Sequence, residues 1–285
     1  MKILREITVL GFIGVLGTAP SAAQANLDGV TIRLRQASGS VYMADGVNGF
    51  GGGNVAASVG PDGILLVDDM YKAMVPKLQR ALAGVSSLPV RIVINTHFHG
   101  DHSGGNAKLQ ALSAQVVASE AARQKMVETK MPGLPNVTLE NRLRLYVGGK
   151  RVEVHYFGRS HTNGDVVVLF PDHRVLAMGD MFTFGDATPQ LVDYTGGGSA
   201  VEWTKTVDGA LGLDFDTVVP GHGVVTTKQE VRKFRESTVS LRTKVHDMVS
   251  QKKSRAEIEK MLRSDFHFAD LHVQLSLDGL IKELQ

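Results

Sequence analysis

Apolar and polar residues alternate singly in TIRLRQA (31–37) and VYMAD (41–45), the pattern of strands in a half-buried antiparallel sheet. NVAASVG (54–60) and ILLVDD (64–69), joined by Pro61-Asp62-Gly63, predict a hairpin. The spacing then lengthens. In KAMVPKLQRALAGV (72–85) apolar residues recur every three or four positions, with Pro76 in the first turn and Gly84 near the end, which predicts a helix. VRIVIN (90–95) is a continuous apolar run, which predicts a strand buried on both faces.

The same alternation of spacings continues downstream. SGGNAKLQALSA (103–114) opens a helix, QVVAS (115–119) reads as a strand, and EAARQKMVETK (120–130) reads as another helix. A Pro/Gly-containing connection, 131–141, precedes a hairpin over 142–158 that turns at Gly148-Gly149. A second hairpin, 165–180, turns at Pro171-Asp172. An irregular loop runs to residue 199, followed by a helix over 201–213 and a strand entering a turn over 216–223. From Lys228 onward the pattern is helical, in two or three segments. Strands–helices–strands–helices in two similar halves predict an α/β (α+β mixed) fold, with two mixed sheets packed together and helices outside. No linker interrupts residues 26–285, which read as one domain.

Residues 1–25 depart from this pattern. MKILRE supplies two cations, TVLGFIGVLG is apolar, and Ala23-Gln24-Ala25 is a small-x-small cleavage site, so the segment reads as a signal peptide. The apolar stretch is too short to span a bilayer as a mature helix. The expected product starts at Asn26 and is periplasmic or secreted, with no stable membrane anchor after cleavage. The chain has no cysteine, so the exported fold uses no disulfide and its metal ligands cannot be thiolates. Thirty-one basic and 29 acidic residues give a net charge of +2 without a basic block. That balance points away from nucleic acid and from an anionic membrane surface.

The concentrated chemistry lies in INTHFHGDHSGGN (94–106). His97 and His99 are two apart in an extended loop, so they can share one ion. Asp101 and His102 are adjacent where the chain turns into a helix, so they can point elsewhere. One open metal site needs fewer ligands from one loop, which makes a second ion the natural reading. A single ion, with the other site weak, is the alternative. Three more ligand-type residues stand at strand termini beside glycine: His161 in GRSHTNGD, Asp180 in LAMGD and His222 in VVPGHG. A His/Asp set without cysteine favours zinc, with manganese or iron as alternatives. His155, His173, His246, His267 and His272 read as isolated packed or solvated residues. Asp68 or Asp69 is placed to orient a ligand histidine, capping being the alternative for Asp69, and Asp165 to brace its loop.

Taken together, THFHGDH, GRSHTNGD, LAMGD and VVPGHG resemble the metallo-β-lactamase-fold superfamily, over roughly residues 31–226. The resemblance implies a four-layer αβ/βα sandwich with metals in a cleft at one edge of the sheets. It implies His97, His99 and His161 as ligands of one metal, Asp101, His102 and His222 as ligands of a second, and Asp180 as the carboxylate shared by both. Two such ions, about 3.5–4 Å apart, can hold a bridging hydroxide that attacks a carbonyl or phosphoryl centre. Asp101, nearest the nucleophile in that layout, is the candidate for orienting it and relaying its proton.

True β-lactamases of the family usually carry cysteine or serine where this chain has Asp180. An aspartate there is more similar to the glyoxalase II, lactonase and phosphodiesterase branches. The expected function is therefore hydrolysis of an ester, lactone, thioester or amide-like bond in a small-molecule substrate. A β-lactamase, which export suits, and a non-catalytic metal-holding periplasmic partner are the alternatives. The loops at 131–141 and 182–199 are expected to bound the substrate, with Phe182, Phe184, Leu191, Tyr194 and Trp203 as a candidate apolar wall.

Overall fold

A computed structural model describes residues 27–185 and 190–285; the expected leader lies outside them. The first half contains β1 (Thr31–Ser38), β2 (Val41–Val47), β3 (Val55–Gly60), β4 (Gly63–Val67), α1 (Val75–Leu82), β5 (Val90–Ile94), α2 (Gly100–Ser103), α3 (Asn106–Gln110), β6 (Gln115–Ser119), α4 (Glu120–Glu128) and β7 (Val137–Leu139). Its strands form one sheet in the order β1 to β7, antiparallel as far as β4 and parallel from β4 to β7. The second half contains β8 (Arg142–Val147), β9 (Lys150–Tyr156), β10 (Val166–Phe170), β11 (Val175–Ala177), α5 (Ala200–Leu211), β12 (Thr217–Val219), β13 (Thr226–Thr227), α6 (Lys228–Ser250), α7 (Arg255–Phe266) and α8 (Asp270–Glu283). These strands build a sheet ordered β13-β12-β11-β10-β9-β8.

Strand periodicity divides each sheet between two cores, which explains why its central strands are apolar throughout. In β4, Leu65 and Val67 face the second sheet, while Ile64 and Leu66 face α1 and α3. In β10, Val166, Val168 and Phe170 face the first sheet, while Val167 and Leu169 meet the helices of the second half. Helix, sheet, sheet and helix thus stack as the four-layer αβ/βα sandwich that the sequence pattern and resemblance predict.

Some local expectations need correction. Only Val93 and Ile94 of β5 are fully buried; Arg91 is exposed, and Val90 and Ile92 are partly covered, because the strand begins at the rim. The helix expected from Ser103 is two short ones. It breaks at Gly104-Gly105, where the Gly105 amide donates to Asp69 Oδ1 at 2.8 Å. The connection at 131–141 contains β7, a three-residue strand created by pairing with β6 rather than by its own pattern. The helical tail has three segments, and no helix among the described residues is long and apolar enough to cross a membrane.

The last helix is tied to the rest of the second half. Glu283 accepts from Tyr194 Oη at 2.7 Å, from the Ala200 amide at 2.9 Å and from the Ser199 hydroxyl. Ser276 exchanges two 3.0 Å hydrogen bonds with the backbone of Val192. Glu283→Ala leaves three donors without their acceptor and is expected to cost about 2–3 kcal/mol. Denaturant unfolding measures this as a lower midpoint at unchanged slope; a loss below about 0.5 kcal/mol, the size of an ordinary surface substitution, would contradict the anchoring role.

Candidate metal centre

The parallel pairs β4–β5 and β11–β12 end at the same edge of the sandwich, and the candidate ligands gather in the loops that leave it. His97 and His99 follow β5, and Asp101 and His102 fall in α2. Asp180 follows β11, His222 follows β12, and His161 lies in the turn entering β10. Ligand-type atoms of His97, His99 and His161 cluster within 4.8 Å of one another, as do those of Asp101, His102 and His222. His97, His102 and Asp180 form a third such group that joins the two. All seven residues singled out in the sequence are therefore brought together.

Asp180 spans the two triads. Its Oδ2 is 3.6 Å from His161 Nε2, while Oδ1 is 3.2 Å from His102 Nε2 and 3.4 Å from His222 Nε2. Backbone approaches closely around these groups, which accounts for two glycines. A Cβ on Gly221 would lie 2.1 Å from Asp180 Oδ1, and one on Gly53 would lie 2.2 Å from His102 Cε1.

Four of the five imidazoles have one ring nitrogen engaged outside the cluster, which leaves the other directed into it. His97 Nδ1 donates to Thr96 Oγ1 at 3.0 Å, and Thr96 Oγ1 in turn donates to Asp68 Oδ2 at 2.8 Å. His102 Nδ1 donates to the same carboxylate oxygen at 2.8 Å. His99 Nε2 donates to Asp193 Oδ2 at 2.9 Å, and His161 Nδ1 to the Leu191 carbonyl at 2.5 Å. Inside the cluster, His99 Nδ1 and His161 Nε2 stand 2.9 Å apart, and His102 Nε2 and His222 Nε2 stand 3.3 Å apart. Such nitrogen pairs repel unless a proton or cation lies between them. His97 Nε2 and Asp180 Oδ1 are buried without a hydrogen-bond partner. Five imidazoles, two carboxylates and no thiolate form a donor set that fits divalent ions of the zinc type.

Electrostatics divide the site. Burial, reinforced by neighbouring histidines, holds His97 well below the usual imidazole range and also lowers His161. Burial opposes charge on His102 and His222 too, but the Asp180 and Asp101 carboxylates outweigh it. His102 is raised well above its ordinary value and His222 to about 9. Burial likewise opposes charge on the two carboxylates, yet their histidine partners hold Asp180 well below the carboxylate range and Asp101 at about 2.

Asp68 is the aspartate that orients a cluster histidine, whereas Asp69 secures the start of α3. Asp165 accepts from Ser160, the Thr162 amide and the Thr162 hydroxyl, bracing the turn that carries His161. Asp193 was not singled out in the sequence; it lies 94 residues from His99 in an irregular loop, with no local pattern to mark it.

The expected substrate wall needs correction. Phe182 and Trp203 are each 1% exposed and belong to the core under α5 and α6, while Phe184 and Tyr194 pack against that core. Of the five candidates only Leu191 lines the cleft above the cluster, a cavity of about 710 Å³. Residues 131–141 do not line it; Gly133 instead abuts Ala107 of α3. In their place stand Phe50, from the β2–β3 loop, and Leu271, His272 and Leu275 of α8. His272 is thus a cleft residue rather than an isolated one.

Known proteins resemble this chain in sequence and in fold. The chain is 29% identical over 168 residues to 2,4-dinitroanisole O-demethylase subunit alpha of Nocardioides sp. (strain JS1661), a match covering 57% of this chain and 50% of that one. It is 29% identical over 159 residues to metallo-beta-lactamase type 2 of Bacteroides fragilis, covering 52% and 62% respectively. The chain thus spans between about half and two-thirds of the length of these relatives. Among solved structures, the metallo-beta-lactamase from Pontibacter korlensis superposes with a TM-score of 0.65 at 22% identity, covering 73% of this chain and 99% of that one. DIM-1 metallo-beta-lactamase gives 0.63 at the same identity and coverage. Those likenesses establish the fold. A sequence-family model, the metallo-beta-lactamase superfamily, matches residues 49–222, which is more than half of the chain and holds all seven clustered residues. The chain belongs to the metallo-beta-lactamase superfamily.

Proposed function

We propose that this protein is an exported, binuclear zinc-dependent hydrolase that cleaves an ester, lactone, thioester or amide-like bond in a small molecule. Residues 1–25 are its cleaved signal peptide, and residues 26–285 its catalytic domain. His97, His99 and His161 would hold one ion and Asp101, His102 and His222 the other, with Asp180 placed between them. The observation that carries this reading is the Asp180 carboxylate, with one oxygen facing His161 of the first triad and the other facing His102 and His222 of the second. Bound divalent ions lower the pKa of water and polarise a carbonyl oxygen.

The chain's own groups do the rest. Asp101, ionised and facing the cleft, orients the attacking water and takes its proton on a carboxylate oxygen. Asp193 and Asp68 keep His99 and His102 in the tautomers that direct a lone pair inward. Tyr71, also on the cleft, keeps its phenolic proton because burial and Asp101 push its pKa up to about 12. It therefore serves as a neutral donor.

A β-lactamase is the second reading, favoured by relatives named metallo-beta-lactamase type 2 in Bacteroides fragilis and Bacillus cereus. Asp180 argues for the first, since the family's β-lactamases usually carry cysteine or serine there. The complete set of seven donors weighs against a non-catalytic partner protein.

Metal uptake provides one test. His102 and His222 have raised pKa values, so the metal-free pair favours the protonated form and must lose its protons to ligate. Zinc binding at the Asp101–His102–His222 triad is expected to release protons. Its apparent affinity is expected to rise with pH until His222 has titrated, near pH 9. Asp180→Asn removes the carboxylate that raises both histidines, so it is expected to release fewer protons and to bind the second ion more weakly. Calorimetry in buffers of different ionisation enthalpy measures the proton count; release unaffected by Asp180→Asn would contradict the assignment.

Substrate choice provides another. The zinc-loaded protein is expected to show a kcat/KM at least about tenfold higher for an ester, lactone or thioester than for any penicillin, cephalosporin or carbapenem. A β-lactam value near 10⁵ M⁻¹s⁻¹, roughly the range of an evolved substrate, would favour the second reading instead.

A further inference from the structure

The cleft above the cluster differs sharply from its floor. At the bottom lie the carboxylates of Asp101 and Asp180 with His99 and His222. The walls are apolar. Phe50, Val224 and Leu271, which are 52%, 48% and 57% exposed, all stand on this one cavity. The Phe50 ring stacks on His222, with centroids 5.5 Å apart and planes 30° apart, and meets the Tyr71 ring edge-on at 6.0 Å. Apolar surface therefore reaches down to a cluster residue.

The opposite wall is held firmly. Glu283 and Ser276 tie α8 to residues 192–200, and Gly279 packs so closely on Tyr194 that a Cβ would lie 2.0 Å from its ring. Leu271 and Leu275 of that helix face the cavity.

Positive charge in the cleft is confined to its metal-binding floor. No lysine or arginine is among the described residues lining the cavity, and the sequence between Gly185 and Gln190 contains none. Asp45 adds negative charge to the lining, and the adjacent Arg33 is committed to it, with Nε 3.1 Å from Oδ1 and a second contact through Nη2. His272 is no substitute for a cation. Its Nδ1 accepts the Ala269 amide at 3.0 Å, so the neutral ring carries its proton on Nε2, and burial lowers its pKa further. What it offers is an uncharged N–H.

We infer that this cleft selects a substrate whose acyl portion is apolar and carries no charge away from the metal-binding floor, and that Phe50, Leu271 and Leu275 are the residues that select it. This deepens the hydrolase reading above and rests on it. A carboxylate on the far end of the acyl chain, away from the floor, would lose water between these side chains and find no lysine, no arginine and no array of N–H donors there. An alkyl or aryl group loses nothing polar there and gains from burial. The volume of about 710 Å³ falls within the range of small-molecule sites.

Two 4-nitrophenyl esters that differ only at the distal carbon test this on zinc-loaded protein: the hexanoate and the monoester of adipic acid. They share the scissile bond, leaving group and chain length. The expected kcat/KM favours the hexanoate at least about tenfold, mainly through KM. Leu271→Lys, a change at an exposed position, is expected to reduce that preference severalfold or reverse it. Equal values for the two esters, or a preference unmoved by Leu271→Lys, would overturn the inference while leaving hydrolysis intact. Binding supplies a readout independent of turnover. N-phenylhexanamide is expected to bind, by calorimetry or ligand-observed NMR with and without zinc, more tightly than its analogue ending in a carboxylate. If neither ester is cleaved but that binding order holds, the hydrolase reading fails for these bonds and the inference about the cleft stands. The opposite binding order in metal-free protein overturns it.

Discussion

One largely enclosed carboxylate, Asp180, sets the terms for the whole metal-binding edge. It is placed among five histidines, with one oxygen toward each triad. A charge taken out of water at that depth is costly unless other charges answer it. Protonated His102 and His222 answer it in the metal-free chain, and divalent ions are the proposed answer in the working protein. The two glycines at 53 and 221 follow from the same constraint, because side chains there would occupy the space of His102 and Asp180.

The scaffold explains how such a cluster can be held. Each sheet contributes a parallel strand pair whose carboxyl ends reach the same edge, so ligands more than a hundred residues apart in sequence converge there. Rigid strand ends fix the backbone, and hydrogen bonds to Asp68, Asp193 and the Leu191 carbonyl fix the rings. The cleft walls come from less regular parts, the β2–β3 loop and the last helix. This division lets the proposed chemistry stay constant while the walls decide what enters.

The sequence reveals these layers unevenly. His97 through His102 are legible because ligand-type residues crowd a strand end, and His161, Asp180 and His222 because each stands alone beside glycine at another. The layers are legible from the order of strands and helices in two similar halves. Asp193 leaves no trace, since its partnership with His99 exists only once two distant loops meet. Phe182 and Trp203 mislead for a related reason: an aromatic residue in an irregular loop or a nearby helix looks the same whether it lines a cleft or fills a core. The α8 wall is hidden too. Val273, Leu277 and Leu280 satisfy the helical pattern by packing inward, so Leu271 and Leu275 look like the margin of the same stripe.

The central claim is that Asp180 joins two metal sites. Anomalous diffraction at the zinc edge from crystals grown at saturating zinc tests it most directly. Two peaks are predicted, about 3.5–4 Å apart as in other two-metal sites. One should lie against His97, His99 and His161, the other against Asp101, His102 and His222, and each should touch one oxygen of Asp180. A single peak at saturation, or two peaks that both stand clear of Asp180, would contradict it.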